Sequence, residues 1–156
     1  MSVVLDQLYA SPLSTSIRDA GFIIPAVQSV HILSIGLLFG GALICDLKVL
    51  GVWGVPEPLA LVYRRFQPWM MAALGALLLS GLVNAIGEPV RVFGNRIFWL
   101  KMALLLVACG LTALLGRAMR QNQAPISQIS RVMALLSILL WVAIIICGRW
   151  IAYVAP

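Results

Sequence analysis

Four long runs of apolar residues, separated by shorter polar segments, dominate the chain. A helix that crosses about 30 Å of hydrocarbon needs roughly 20 mostly apolar residues. Four stretches reach this length and predict membrane-spanning helices at about residues 22–45, 67–87, 97–118 and 129–152. The connections between them are short, which favours antiparallel neighbours. The pattern predicts an all-α integral membrane protein, a four-helix up-down-up-down bundle formed by residues 22–156.

Residues 1–21 are more polar and are expected to form an N-terminal arm. Asp6, Arg18 and Asp19 lie within it, and no small-residue cleavage site follows a short apolar core. The arm therefore does not resemble a signal peptide, and we expect it to be retained. Ser11 followed by Pro12 is typical of a helix start, with Ser as the N-cap. A short interfacial helix is expected here, and a plain ordered arm is the alternative.

Composition agrees with a membrane protein. Hydrophobic residues make up 62% of the chain and charged residues 10%, and the mean hydropathy is +1.04. A soluble domain of 156 residues could not bury so many apolar side chains in one core. The net charge is +6, but the basic residues are spread over every connection. We therefore expect a lipid bilayer as the partner and no nucleic acid.

Basic residues near the ends of the predicted spans indicate an orientation. Six of them flank the first and third connections, and fewer flank the other side; the six are Lys48, Arg64, Arg65, Arg117, Arg120 and Arg131. Because positive loops stay in the cytoplasm, both termini are predicted to lie outside. Asp46 is expected to meet a basic residue at the headgroup level, such as Lys48 of a neighbour, Arg64 or Arg117.

A single histidine, His31, falls inside the first span. Helical spacing predicts a stripe that faces the bundle interior and contains Gln28, His31, Ser34, Leu38, Gly41 and Cys45. Antiparallel alternation brings three polar residues of other spans towards the depth of His31. The predicted cofactor-binding residues are His31, Lys101, Gln28, Ser34, Asn84 and Arg149, with His31 as the metal ligand. Alternatively, Lys101 and Arg149 extend to the headgroups and His31 is a hydrogen-bonded core residue.

Several segments resemble a known family. The quoted motifs are Arg18-Asp19-Ala20-Gly21-Phe22, Gln28-Ser29-Val30-His31, Asp46-Leu47-Lys48-Val49-Leu50-Gly51, Asn95-Arg96-Ile97-Phe98-Trp99-Leu100-Lys101 and Gly148-Arg149-Trp150-Ile151-Ala152-Tyr153. They resemble an uncharacterised family of bacterial four-helix membrane proteins, which implies a multi-pass protein of the bacterial inner membrane. A more distant similarity is to the membrane domain of copper-resistance protein D and to the HemJ-type protoporphyrinogen oxidase. That similarity implies haem b, or copper, with His31 as ligand and Lys101 near a propionate.

Three functions stay open at this point. A haem protein would be five-coordinate, or would use Met, Lys or a partner chain, because the chain contains one histidine. It would need a cavity, for which Gly36, Gly40, Gly75 and Gly81 supply room. A noncatalytic subunit or assembly factor of a larger membrane complex is the second possibility, and a small permease is the third. A glycine-lined helix face would also permit a homo-oligomer.

Overall fold

The computed structural model describes residues 2–52, 56–121 and 126–151. These residues form seven helices: α1 (Ser2–Tyr9), α2 (Pro12–Asp19), α3 (Ile23–Leu50), α4 (Leu59–Gly87), α5 (Pro89–Phe93), α6 (Arg96–Gln121) and α7 (Gln128–Ile151). Four of them, α3, α4, α6 and α7, are long and apolar enough to cross a membrane. The predicted all-α bundle with four spans is confirmed, and the chain is a multi-pass membrane protein.

Three of these helices, α3, α4 and α6, are longer than the sequence pattern predicts. α3 continues to Leu50 and ends where Gly51 takes a left-handed conformation with φ +76°. α4 begins at Leu59, well before residue 67, because Pro58 is extended and starts the helix. Its first turns carry the exposed Arg64 and Arg65 and are therefore too polar to register as part of a span. The last residue of the fourth predicted span, Ala152, lies outside the described residues.

The four long helices form a closed ring. α3 packs on α4 and α7, and α6 packs on α7 and α4, so α3 and α6 occupy opposite corners. The middle of the bundle is an apolar cluster that includes Leu38, Leu77, Leu105, Trp141 and Ile144. A second cluster lies towards one end and includes Cys45, Val49, Tyr63, Leu115 and Ala134.

The N-terminal arm is helical and is attached to the end of α4. The Ser11 side chain accepts a hydrogen bond from the Ser14 amide and Pro12 opens α2, as the sequence predicts. The Ser14 hydroxyl donates to the Gly87 carbonyl at 3.3 Å. Arg18 donates to the same carbonyl at 3.2 Å and to the Ser14 hydroxyl at 2.7 Å. These bonds satisfy a carbonyl at the negative end of the α4 dipole.

Candidate functional site

His31 lies on α3 with its ring half-buried against α4. Its Nδ1 atom is 2.9 Å from the hydroxyl oxygen of Ser80. The two residues come from antiparallel helices and lie at similar depth, since His31 is eight residues from the start of α3 and Ser80 is seven from the end of α4. Matching depth on neighbouring antiparallel helices therefore explains the pair.

The polarity of this hydrogen bond follows from the other contacts of Ser80. Its hydroxyl donates to its own helix, where the Ala76 carbonyl lies at 2.6 Å and the Leu77 carbonyl at 3.1 Å. A hydroxyl has one proton, so a Ser80 hydroxyl that donates to the Ala76 carbonyl accepts from His31 Nδ1. In that arrangement the imidazole proton is on Nδ1 and the lone pair is on Nε2.

Lys101 reaches this region from the opposite corner of the bundle. It is half-buried on α6 and lies within electrostatic range of His31. Two glycines leave room for the site. A Cβ atom on Gly81 would lie 3.4 Å from the His31 ring, and one on Gly148 would lie 3.5 Å from the Lys101 ammonium nitrogen. His31, Ser80 and Lys101 are thus surrounded by residues of all four long helices.

The other predicted site residues do not join this group. Ser34 is buried on α3 as expected, but its hydroxyl donates to the Val30 carbonyl of its own helix at 2.7 Å. Asn84 is half-buried about one turn nearer the end of α4, and Arg149 is exposed. Gln28 is exposed as well, so its predicted position in the bundle interior is wrong. Gln28 lies six residues before Ser34, and six residues turn a helix through about 600°, or one full turn and 240°. The two side chains therefore point about 120° apart.

Most of the four glycines expected to line a cavity beside His31 lie elsewhere. Gly36 and Gly40 line an apolar groove on the α3–α4 surface with Leu37, Ile44 and Trp69, and His31 is not part of it. A Cβ atom on Gly75 would face open space. Only Gly81 of the four predicted glycines borders the His31 ring. No group of three or more His, Cys, Asp or Glu side chains that could hold a metal occurs among the described residues.

The ion pair expected between Asp46 and Arg64 or Arg117 is not formed. Asp46 is completely buried, and within the described part of the chain neither carboxylate oxygen has a hydrogen-bond partner. Arg64 and Arg117 are exposed, and no salt bridge joins them to Asp46. The buried arc of α3 is wide at this end, because Gly41, Ala42, Cys45, Asp46 and Val49 all face neighbouring helices. The side chain therefore points into the bundle and away from the headgroup level.

The comparisons with known proteins identify a family. A family model described as a family of unknown function (DUF6644) matches residues 17–154. The chain belongs to this family. Searches of curated proteins and of solved structures gave no significant match.

In this DUF6644 protein, polar side chains gather at two depths of the bundle. One level contains His31, Ser80 and Lys101, and the other contains Asp46 and Tyr63. On α3 the ten residues between Ser34 and Cys45 are all apolar or glycine, and Leu38 belongs to the central apolar cluster. The sequence analysis did not predict that Ser80 contacts His31. The signal was the equal depth of the two residues in neighbouring antiparallel spans.

Proposed function

We propose that this DUF6644 protein binds haem b and that His31 would hold its iron through Nε2. The observation that carries the proposal is the 2.9 Å contact between His31 Nδ1 and the Ser80 hydroxyl, which has the Ala76 carbonyl at 2.6 Å as an acceptor for its own proton. Histidine ligands of metals usually donate their second ring N–H to a fixed oxygen, which sets the tautomer and the ring orientation. Ser80 supplies such an oxygen.

The residues around His31 fit a haem ligand better than a copper site. Haem iron accepts a single protein histidine, whereas copper sites require several soft or imidazole ligands in one place. Among the described residues, His31 belongs to no group of three or more His, Cys, Asp or Glu side chains that could hold a metal ion. A single imidazole ligand therefore supports the haem proposal more than the copper alternative.

Lys101 has a complementary role in this proposal. Its half-buried ammonium group lies near His31 and towards the same end of the bundle, where it would neutralise a haem propionate. Haem supplies one-electron transfer when bound. The chain itself fixes the imidazole tautomer, presents Nε2 and places a cation beside it. We propose that this end faces the outside of the bacterial inner membrane, with both termini periplasmic.

The second candidate function is a noncatalytic subunit of a larger membrane complex or of a homo-oligomer. The apolar α3–α4 groove lined by Gly36, Gly40 and Trp69 favours it, because small residues let a second helix approach closely in lipid. In this case His31 serves to hold α3 against α4 through Ser80. The two candidates differ in whether Nε2 has a ligand.

The test is the visible spectrum of the protein purified in mild detergent from cells supplied with haem. We expect a Soret band in the oxidised and dithionite-reduced protein and its loss in His31→Ala. Ser80→Ala should weaken haem binding by about 10- to 100-fold, as the loss of such a supporting group typically does. Ser34→Ala is the matched control, since it removes a buried α3 hydroxyl that contacts only Val30.

Two results would reject haem ligation at His31. A folded, colourless wild-type protein would exclude haem and leave the subunit function. A Soret band that survives unchanged in His31→Ala would assign the iron ligand to another residue.

A further inference from the structure

At the other end of the bundle, two residues within electrostatic range of each other have buried oxygen atoms without hydrogen-bond partners among the described residues. Both carboxylate oxygens of Asp46 on α3 and the phenol oxygen of Tyr63 on α4 are buried and have no hydrogen-bond partner among the described residues. Asp46 is completely inaccessible, and Tyr63 is 4% exposed. The phenol of Tyr63 lies within electrostatic range of Asp46 and Cys45. Unpartnered buried oxygens of this kind are costly, above all where one group is ionisable.

Hydroxyl groups of the other two long helices extend this cluster. The Trp141 indole nitrogen of α7 donates to the Thr112 hydroxyl of α6 at 3.4 Å, and Thr112 lies 3.5 Å from the Ser137 hydroxyl. Ser137 is fully buried and lies near the Asp46 carboxylate without a hydrogen bond to it. An indole N–H can only donate, so the Thr112 oxygen accepts from Trp141 and the Thr112 proton is available to the Ser137 oxygen. All four long helices therefore contribute to the surroundings of Asp46.

We propose that Asp46, the Tyr63 phenol and the Ser137 hydroxyl bind a dehydrated monovalent metal cation such as Na⁺. Carboxylate, phenol and hydroxyl oxygens are hard ligands that suit such an ion. One carboxylate matches a single positive charge, whereas Ca²⁺ takes six to eight oxygens and usually several carboxylates. A proton on Asp46 would neutralise the charge, but in this geometry the carboxyl and phenol oxygens would still have no hydrogen-bond partner among the described residues.

This site is independent of the proposed haem site. Asp46 lies fifteen residues after His31 on the same helix, which corresponds to about 22 Å along its axis. The central apolar cluster of Leu38, Leu77 and Leu105 lies between the two levels. The cation proposal therefore stands whether or not haem binds at His31.

The experiment measures thermal unfolding of the protein in detergent at constant ionic strength. Na⁺, K⁺ and Li⁺ are each titrated against N-methylglucamine, a cation too large for the cluster. We expect a saturable rise in Tm with a small cation and its disappearance in Asp46→Asn. Tyr63→Phe should raise the half-saturating concentration about tenfold or more, since it removes one ligand of a charge. Asp19→Asn is the control, because Asp19 is an exposed aspartate of α2.

A second readout covers the case in which the Asp46 variant does not fold. Binding of radioactive ²²Na⁺ to folded wild-type protein and to Tyr63→Phe, with competition by unlabelled cations, measures the same affinity directly. The proposal is overturned if neither Tm nor ²²Na⁺ retention depends on the cation. It is also overturned if Asp46→Asn keeps the wild-type cation response. A third outcome would identify a protonated Asp46 carboxyl in place of a bound cation. In that case the Tm of the wild-type protein does not depend on the cation, and Asp46→Asn is at least as stable as the wild type in every salt.

Discussion

Gly116 is the position at which one methyl group tests the packing of the Tyr63 ring. A Cβ atom on Gly116 would lie 3.3 Å from two ring carbons of Tyr63. The ring belongs to a buried cluster with Val49 and Leu115 and has little space in which to move. Gly110 is a matched site on the same helix, where an added Cβ would meet nothing within 4 Å. Gly116→Ala and Gly110→Ala therefore differ mainly in the contact with Tyr63.

The expected difference follows from two opposing terms. Replacing glycine by alanine inside a helix stabilises it by roughly 1 kcal/mol. Overpacking a well-filled core typically costs about 1–3 kcal/mol. Gly110→Ala has only the stabilising effect of alanine in a helix, so it should raise the free energy of unfolding. Gly116→Ala has the same effect together with the cost of overpacking against Tyr63, and it should be less stable than Gly110→Ala by about 1–3 kcal/mol.

The assay is unfolding in mixed micelles with increasing mole fraction of sodium dodecyl sulfate, followed by circular dichroism. Tyr63→Leu removes the ring and should abolish most of the penalty of Gly116→Ala in a double-mutant cycle, because neighbouring residues are coupled. If Gly116→Ala and Gly110→Ala change stability equally, or if the penalty persists without the Tyr63 ring, the packing described for this end of the bundle is refuted.

Three further predictions concern the arm and the core. Arg18→Ala removes one of the two hydrogen bonds from α2 to the Gly87 carbonyl and the support of the other through Ser14. Amide exchange in α2 should therefore become faster while the long helices stay protected, and unchanged exchange in α2 would contradict this. Trp141→Ala leaves a cavity in the bundle and should lower the free energy of unfolding by about 3–5 kcal/mol in the same micelle assay. Trp150 is exposed, so Trp150→Ala should change the free energy of unfolding by less than about 0.5 kcal/mol. Ser11→Ala removes the cap of α2 and should cost about 1 kcal/mol, detected as faster proteolysis within the arm.

The bundle was predictable from the sequence because lipid imposes a strict requirement on apolar length. The same reasoning placed His31, Ser34, Leu38 and Cys45 on the inward side of α3, and the structure confirms a buried or half-buried position for each. Contacts between helices were less accessible to prediction, since they depend on how each helix is rotated about its axis. The partner of His31 is Ser80, a residue that the sequence suggests only as one of several small residues suited to close packing.

Asp46 shows the limit of that reasoning most clearly. An aspartate directly after the predicted end of a span at residue 45, with basic residues nearby in the sequence, is typical of a side chain at the headgroup level. The interior arc of α3 widens at this end, because two neighbouring helices, α4 and α7, pack against it. Cys45 and Asp46 point about 100° apart and yet both are fully buried. Only the arrangement of three helices could reveal this.

The separation of the two polar levels bears on which functions the bundle can support. On α3, about 16 Å of helix between Ser34 and Cys45 carries no polar side chain. An ion or proton that crossed the whole bundle would need polar groups throughout this layer, where Leu38, Leu77 and Leu105 pack together. The haem proposed near one end and the cation proposed near the other require no such path. The apolar middle of the bundle therefore agrees better with the two proposed sites than with a continuous conduction route.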